Sequence, residues 1–146
     1  MQLINPSGNG NVSLIQPAAT LTIANDDSAT ISINNPMVLE SNSGTASLVF
    51  SVSIDKLADA DVSLTANTSD GLTNPATLAD NDYVAVTGGT VKFVAGSMAS
   101  QTVKETVNGD FTLELDEQLQ LLLSSLNAQG RSVQFTGNAM SLSLSN

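Results

Sequence analysis

The chain has no cysteine and no histidine among its 146 residues. The first absence removes disulfides and thiolate metal sites, although a core of this size needs no covalent staples and the compartment stays open. The second removes zinc-type centres and imidazole bases. Tryptophan is also missing, and one tyrosine with four phenylalanines leaves little for a sugar-stacking platform or an apolar substrate pocket. No Gly-x-Ser-x-Gly elbow and no phosphate-cradling glycine loop occurs, so catalysis is disfavoured. Cations are scarce. Only Lys56, Lys92, Lys104 and Arg131 face fourteen carboxylates, and a net charge of −10 repels phosphate backbones and anionic lipid surfaces. Nucleic-acid binding and direct membrane insertion are therefore not expected. No apolar run approaches the ~20 residues of a membrane helix. Met1 is followed by polar, turn-rich sequence without a signal-peptide pattern, so any targeting segment is expected outside this stretch. The chemistry that remains belongs to carboxylates and hydroxyls.

The chain does contain an internal repeat. Leu21-Thr22-Ile23-Ala24-Asn25 reappears as Leu142-Ser143-Leu144-Ser145-Asn146, and the match runs backwards through Leu14/Phe135 and Val12/Val133 at a constant offset of 121 (142 − 21 and 133 − 12). An opening segment that copies the closing one predicts a unit of a tandem array carrying the last strands of the unit before it. Residues 1–27 are then an overhang with its linker, and residues 28–146 the domain. Neighbouring repeats of the same protein are the expected partners. The strand at residues 19–24, separated from its parent sheet, is a candidate for strand exchange between two copies.

Period-two alternation dominates the domain: Ile31 and Ile33; Leu48, Phe50, Val52 and Ile54; Val62 and Leu64; Val91 and Phe93; Leu119, Leu121 and Leu123; Val133 and Phe135; Met140, Leu142 and Leu144. Serine and threonine fill many intervening positions, as in strands with one buried and one solvated face. Turn signals at Asn42-Ser43-Gly44, Asp70-Gly71, Gly88-Gly89, Asn108-Gly109 and Gly137-Asn138 separate the runs. The pattern predicts an all-β fold, an antiparallel two-sheet sandwich of about seven strands with immunoglobulin-like architecture. The leucine-rich stretch from Leu113 to Leu126 could pass for a helix, but residues 117–124 read as strand. Glu105 breaks the pattern, since it shares parity with Val103 and Val107; an edge strand or a bulge there is the expected explanation. Asp70 is expected to serve its turn by accepting local backbone hydrogen bonds, with Gly71 at positive φ.

Several motifs in this order resemble the Calx-β family, found in sodium/calcium exchanger regulatory regions, integrin β4 and many bacterial surface proteins. They are Val38-Leu39-Glu40-Ser41-Asn42-Ser43-Gly44, Thr68-Ser69-Asp70-Gly71, Asp82-Tyr83, Gly89-Thr90-Val91-Lys92-Phe93, Gly109-Asp110 with Glu114, and Asp116-Glu117. Ile23-Ala24-Asn25-Asp26-Asp27 looks like the family's terminal acidic signature. The chain departs from the family pattern at Leu119, usually phenylalanine, at Ser97, commonly glutamate, and in a longer loop over residues 73–81.

The resemblance implies a calcium site at one pole of the sandwich, with Glu40, Asp82, Asp110, Glu114 and Glu117 as metal ligands and the Thr112 carbonyl as a further oxygen. Calcium takes about six to eight oxygens, so a loop-built site needs carboxylates from distant parts of the chain. Solvated loop charge is the alternative reading of the same acids, and for Asp80 and Asp116 the favoured one. Asp26 and Asp27 are expected at the opposite pole, because Asp27 lies 13 residues before Glu40 (40 − 27), comparable in extended length with the whole domain. They would complete the preceding unit's site, and the corresponding acids after Asn146 would complete this one, so calcium binding by this stretch alone is expected to be weakened.

The sequence thus reads as a non-catalytic calcium-binding structural repeat of a large extracellular or cell-surface protein of bacterial type, stiffening or spacing an array. The alternative is a calcium-independent spacer or an adhesive repeat, with residues 67–81 as the loop to meet a glycan or cell-surface ligand.

Overall fold

The computed structural model describes residue 10, residues 18–136 and the backbone of residues 142–145. Alternating residues build ten strand segments: β1 (Ala29–Ile33), β2 (Met37–Leu39), β3 (Gly44–Ile54), β4 (Val62–Asp70), β5 (Tyr83–Val84), β6 (Gly89–Phe93), β7 (Gln101–Gly109), β8 (Glu117–Asn127), β9 (Val133–Phe135) and β10 (Leu142–Ser145). They form two five-stranded sheets, ordered β5-β7-β3-β1-β9 and β2-β10-β8-β4-β6. The inner faces meet on Ile31, Leu48, Phe50, Val52, Val62, Leu64, Phe93, Leu119 and Leu121, all buried. These are the residues whose period-two spacing marks the strands, so alternation in the sequence becomes the sandwich core.

Ten segments, rather than about seven strands, arise because the first and last strands each break and change sheet. Pro36, which lacks an amide hydrogen, lies between β1 and β2. The broken strands meet side by side as β1–β9 and β2–β10, and both pairings are parallel, whereas every other ladder is antiparallel. β5 has only two residues. Asn108-Gly109, read from sequence as a turn, instead finishes β7, with Gly109 opposite Gly44. Met140 and the Gly137-Asn138 signal lie outside the described residues. Residues 18–27 belong to no strand, and Leu21 and Ile23 are 86% and 91% exposed.

Glu105 is neither on an edge nor in a bulge. β7 lies between β5 and β3 in unbroken register, Glu105 sits opposite Leu48, and its side chain is 1% exposed. Its carboxylate oxygens have no hydrogen-bond partner among the described residues. Burial pushes its pKa up to about 7, against a weaker downward pull from the nearby Thr68 hydroxyl and the backbone of Thr106 and Val86. Because the folded pKa exceeds the unfolded value, the folded state favours the protonated form, and stability falls as pH rises from the unfolded pKa through 7. Glu105→Gln should therefore stabilise the domain at pH 8.5 by up to roughly 3 kcal/mol and change little at pH 4. Urea denaturation of both proteins across this range checks it; a difference independent of pH would contradict the assignment.

Candidate metal centre

All five predicted ligands lie at one end of the sandwich, where β2, β4 and β7 finish and β5 and β8 begin. Glu40 follows β2, Asp82 precedes β5, Asp110 follows β7, Glu114 lies in the loop after it, and Glu117 opens β8. Two glycines let these segments converge. A Cβ on Gly109 would overlap the Ser41 carbonyl, so the β2–β3 turn lies directly against the end of β7 and brings Glu40 beside Asp110. A Cβ on Gly71 would likewise overlap the Gln118 carbonyl. Gly71 has no positive φ, so its requirement is close approach rather than the turn conformation expected of it.

That approach ties residues 71–82 down across the start of β8. Ala76 N donates to Gln118 O at 2.9 Å, and Gln118 N donates to Asn74 O at 2.8 Å. The loop expected to offer a recognition surface is therefore partly stitched to the sheet, with Ala76 buried. It ends by fixing Asp82, whose Oδ2 accepts the Thr77 amide at 2.6 Å and whose backbone carbonyl accepts Asn108 N at 2.8 Å. Asn108 Nδ2 also donates to Asn81 O at 2.7 Å. Asp82 is consequently buried at the pole. Asp110 is held by a local turn in which its Oδ1 accepts Thr112 N at 2.6 Å.

Asp70 has a different role from the one expected. Its Oδ1 accepts the Tyr83 hydroxyl at 2.6 Å and, more weakly, the Leu78 amide at 3.3 Å, joining β4 to β5 beneath the acidic pole. Burial, followed by that hydrogen bond to the Asp70 carboxylate, raises the Tyr83 pKa. Asp80 Oδ2 accepts the Thr77 hydroxyl at 2.9 Å.

The carboxylates form two triads, Glu40–Asp110–Glu114 and Asp82–Glu114–Glu117, each with oxygens within 4.8 Å of one another. Glu114 belongs to both. Asp80 and Asp116 belong to neither. Glu117 Oε2 is buried without a hydrogen-bond partner. Burial, then the charges of Asp82, Glu114 and Glu40, and a hydrogen bond with Asp82 push Glu117 up to about 7. Desolvation, then the charges of Asp82, Asp110, Glu40 and Asp80, raise Glu114. For Glu40, desolvation outweighs the backbone hydrogen bond with Asp110, and the charges of Asp110 and Asp82 add to the rise. The pole is thus a set of mutually repelling oxygens, one of them dehydrated and unpartnered, in a chain without histidine or cysteine. This donor set suits a hard divalent cation better than a zinc-type ion, which favours histidine and cysteine.

The fold, two sheets whose terminal strands switch partners, is that of a Calx-β-like domain. The particular structures it resembles include the apo-form Calx CBD1 domain, with a TM-score of 0.64 at 19% identity over 82% of this chain and 97% of that one. CBD12 from CALX1.2 superposes with a TM-score of 0.60 at 21% identity, over 79% of this chain and 43% of that longer one. No family model and no curated protein matches the chain. No helix among the described residues is long and apolar enough to cross a membrane.

If repulsion and dehydration set the state of this pole, removing one charge should relax it. With chelator at pH 8.5, Glu117→Gln should raise stability by about 1–2 kcal/mol after allowance for solvent screening. Chemical denaturation measures this, and a destabilised variant would mean that Glu117 is held by an attractive contact instead.

Proposed function

We propose that this domain is a non-catalytic calcium-binding structural repeat of an extracellular multidomain protein. The observation that carries the reading is the pair of carboxylate triads sharing Glu114, assembled from acids up to 77 residues apart (117 − 40). Glu40, Asp110 and Glu114 would hold a cation on one side, and Asp82, Glu114 and Glu117 on the other. The ion supplies the positive charge that these oxygens lack. Calcium is favoured over magnesium because it accepts many oxygens in irregular geometry, whereas magnesium demands a near-octahedral shell and keeps its waters. The unpartnered, dehydrated Glu117 Oε2 favours direct ligation over a water-filled acidic surface.

A repeat role is supported by the match of Leu21–Asn25 with Leu142–Asn146. In an array of such units Asp26 and Asp27 serve the preceding unit's site, and a cation held between a unit and its linker restricts the hinge, because ligand stabilises the liganded geometry by mass action. Lack of histidine and cysteine supports a role without catalysis. A bacterial surface location agrees with the strong net acidity and the tandem design, while the stitched loop at residues 71–82 weighs against an adhesive use of that edge.

Calcium at 100 times its dissociation constant should stabilise the chain by about 2.7 kcal/mol over chelator in a thermal melt. Glu114→Gln, which removes the residue common to both triads, should eliminate that gain while leaving the chelated melt unharmed. An undiminished gain would disprove the site. Extending the chain by Asp-Asp-Ser, the residues that follow Asn25, should tighten calcium binding in a calorimetric titration, and equal affinities would refute the shared site.

A further inference from the structure

Glu105 lies under a stretch of chain that crosses from one sheet to the other. Tyr83 and Val84 pair with Val107 and Thr106, so the β5–β7 ladder stops one residue short of Glu105. Two residues further on, the Val86 amide donates to Thr68 Oγ1 at 2.8 Å and the Val86 carbonyl accepts Thr68 N at 2.9 Å, and Thr68 belongs to β4 in the opposite sheet. Gly88 N then donates to Asn67 Oδ1 at 2.8 Å, and β6 begins at the next residue. Residues 83–88 therefore bridge the gap between the sheets. The groups that hold them to β4, the Thr68 hydroxyl and the Val86 backbone, are also the ones close enough to act on the Glu105 carboxyl.

This bridge is lightly held. Tyr83 is buried and Val86 partly so, whereas residues 84, 85, 87 and 88 are exposed. A segment with so few buried contacts opens at a lower free-energy cost than the ladders it spans.

Nothing that faces Glu105 among the described residues can neutralise it. Leu48 lies opposite on β3, and β6 and β8 turn Val91 and Leu121 into the same core. Lys104, next to it in sequence, is exposed on the other face of β7. The titratable groups on the neighbouring segments are Tyr83 and Asp70, hydrogen-bonded to each other at 2.6 Å, and Asp82 beside Tyr83. The charges of Asp70, Glu105 and Asp82 all disfavour ionisation of Tyr83, so it stays a neutral donor, and the other neighbours are acids. Both Glu105 oxygens are buried without a hydrogen-bond partner. Neutral, the group is tolerated there; charged, it must regain water.

We propose that residues 83–88 are a strap that swings open when Glu105 loses its proton, admitting water to the carboxylate while the two sheets stay paired. Burial pushes the pKa of the closed form up to about 7, and the open form returns the carboxyl to its ordinary range. The closed form thus holds the proton more tightly, so opening increases as pH rises from that range to 7 and levels off above it. Asp82 leads into the strap, so the movement reaches the acidic pole from inside the fold. The proposal concerns the sandwich alone and needs no metal.

The test is amide hydrogen exchange of the full chain, followed residue by residue by NMR in the presence of chelator between pH 5 and 8. The amides of Val86, Gly88 and Thr68 should exchange faster than those in the middle of β3 and β8 at every pH. With intrinsic exchange divided out, their opening should rise about 50-fold across this range and flatten above pH 7. Glu105→Gln should abolish the rise and keep the strap closed at pH 8. Glu105→Leu, which removes the acid altogether, should do the same and covers a glutamine amide that the core accommodates poorly. Glu117→Gln should leave the rise in place, because that acid belongs to the pole and not to the space under the strap. Strap amides that exchange only as fast as the central ladders overturn the proposal, since opening would then be global unfolding. So does a pH-dependent rise that survives Glu105→Gln or disappears in Glu117→Gln.

Discussion

Like charge held close against its own repulsion is the constraint on which the rest of this molecule turns. Two carboxylates 4.8 Å apart repel by about 3 kcal/mol at the effective dielectric constant of a protein surface. The triads share Glu114, so several such terms act at once. The backbone holds the acids there. β3 and β7 pair in unbroken register from Val52/Gln101 to Gly44/Gly109, and at that last pair the chain delivers Asp110. Gly109 and Gly71 permit approaches that any side chain would block. The core of Phe50, Val52, Leu119 and Leu121 offsets the strain, and a bound cation would convert the same repulsion into attraction.

The ends of the molecule are electrically unlike. Lys56 and Arg131 line the cleft at the pole where the chain enters its first strand, and Lys92 pairs with Asp61 at 2.7 Å beside the start of β4. Lys104, in the middle of β7, is the remaining cation. No lysine or arginine stands near the acidic pole to neutralise it internally. The exposed pairs contribute little to stability.

Much of this was legible in the sequence for a physical reason. A strand with one buried face must alternate, so Leu48 to Ile54, Val62 to Ala66 and Leu119 to Leu123 announced the ladders. The five acids could be assigned to one pole because they flank those ladders in the order of a familiar domain. What stayed hidden depends on contacts between segments distant in sequence. Gly71 and Asp70 resemble a turn locally, but the Gln118 carbonyl and the Tyr83 hydroxyl decide their conformation and partners. Asn108-Gly109 carries the composition of a turn, yet pairing with Thr45 and Gly44 extends β7 through it. Glu105 was flagged by parity, and the regular pairing of β7 with β3, where it sits opposite Leu48, forces its carboxylate inward regardless of its chemistry. The splitting of the terminal strands between sheets has no marker except Pro36, since each half alternates normally.

That splitting bears on how a chain of such units would carry load. The chain enters at one pole through β1, clamped between β3 and β9, and reaches the other through β10, clamped between β2 and β8. Tension applied at the two ends therefore runs along both strands, and the inter-strand bonds, perpendicular or slanted to that line, are loaded together rather than peeled one by one. β10 also lies beside β2 with Ser145 opposite Leu39, one residue before Glu40. The strand that leaves the domain is thus hydrogen-bonded to the segment that positions a carboxylate of the acidic cluster. Displacing β10 would move Glu40 relative to Asp110 and Glu114, which are carried by β7 and its loop in the opposite sheet. A cation gripped by all three would resist that displacement, so the same oxygens that make the isolated pole unstable would lock the exit strand in place.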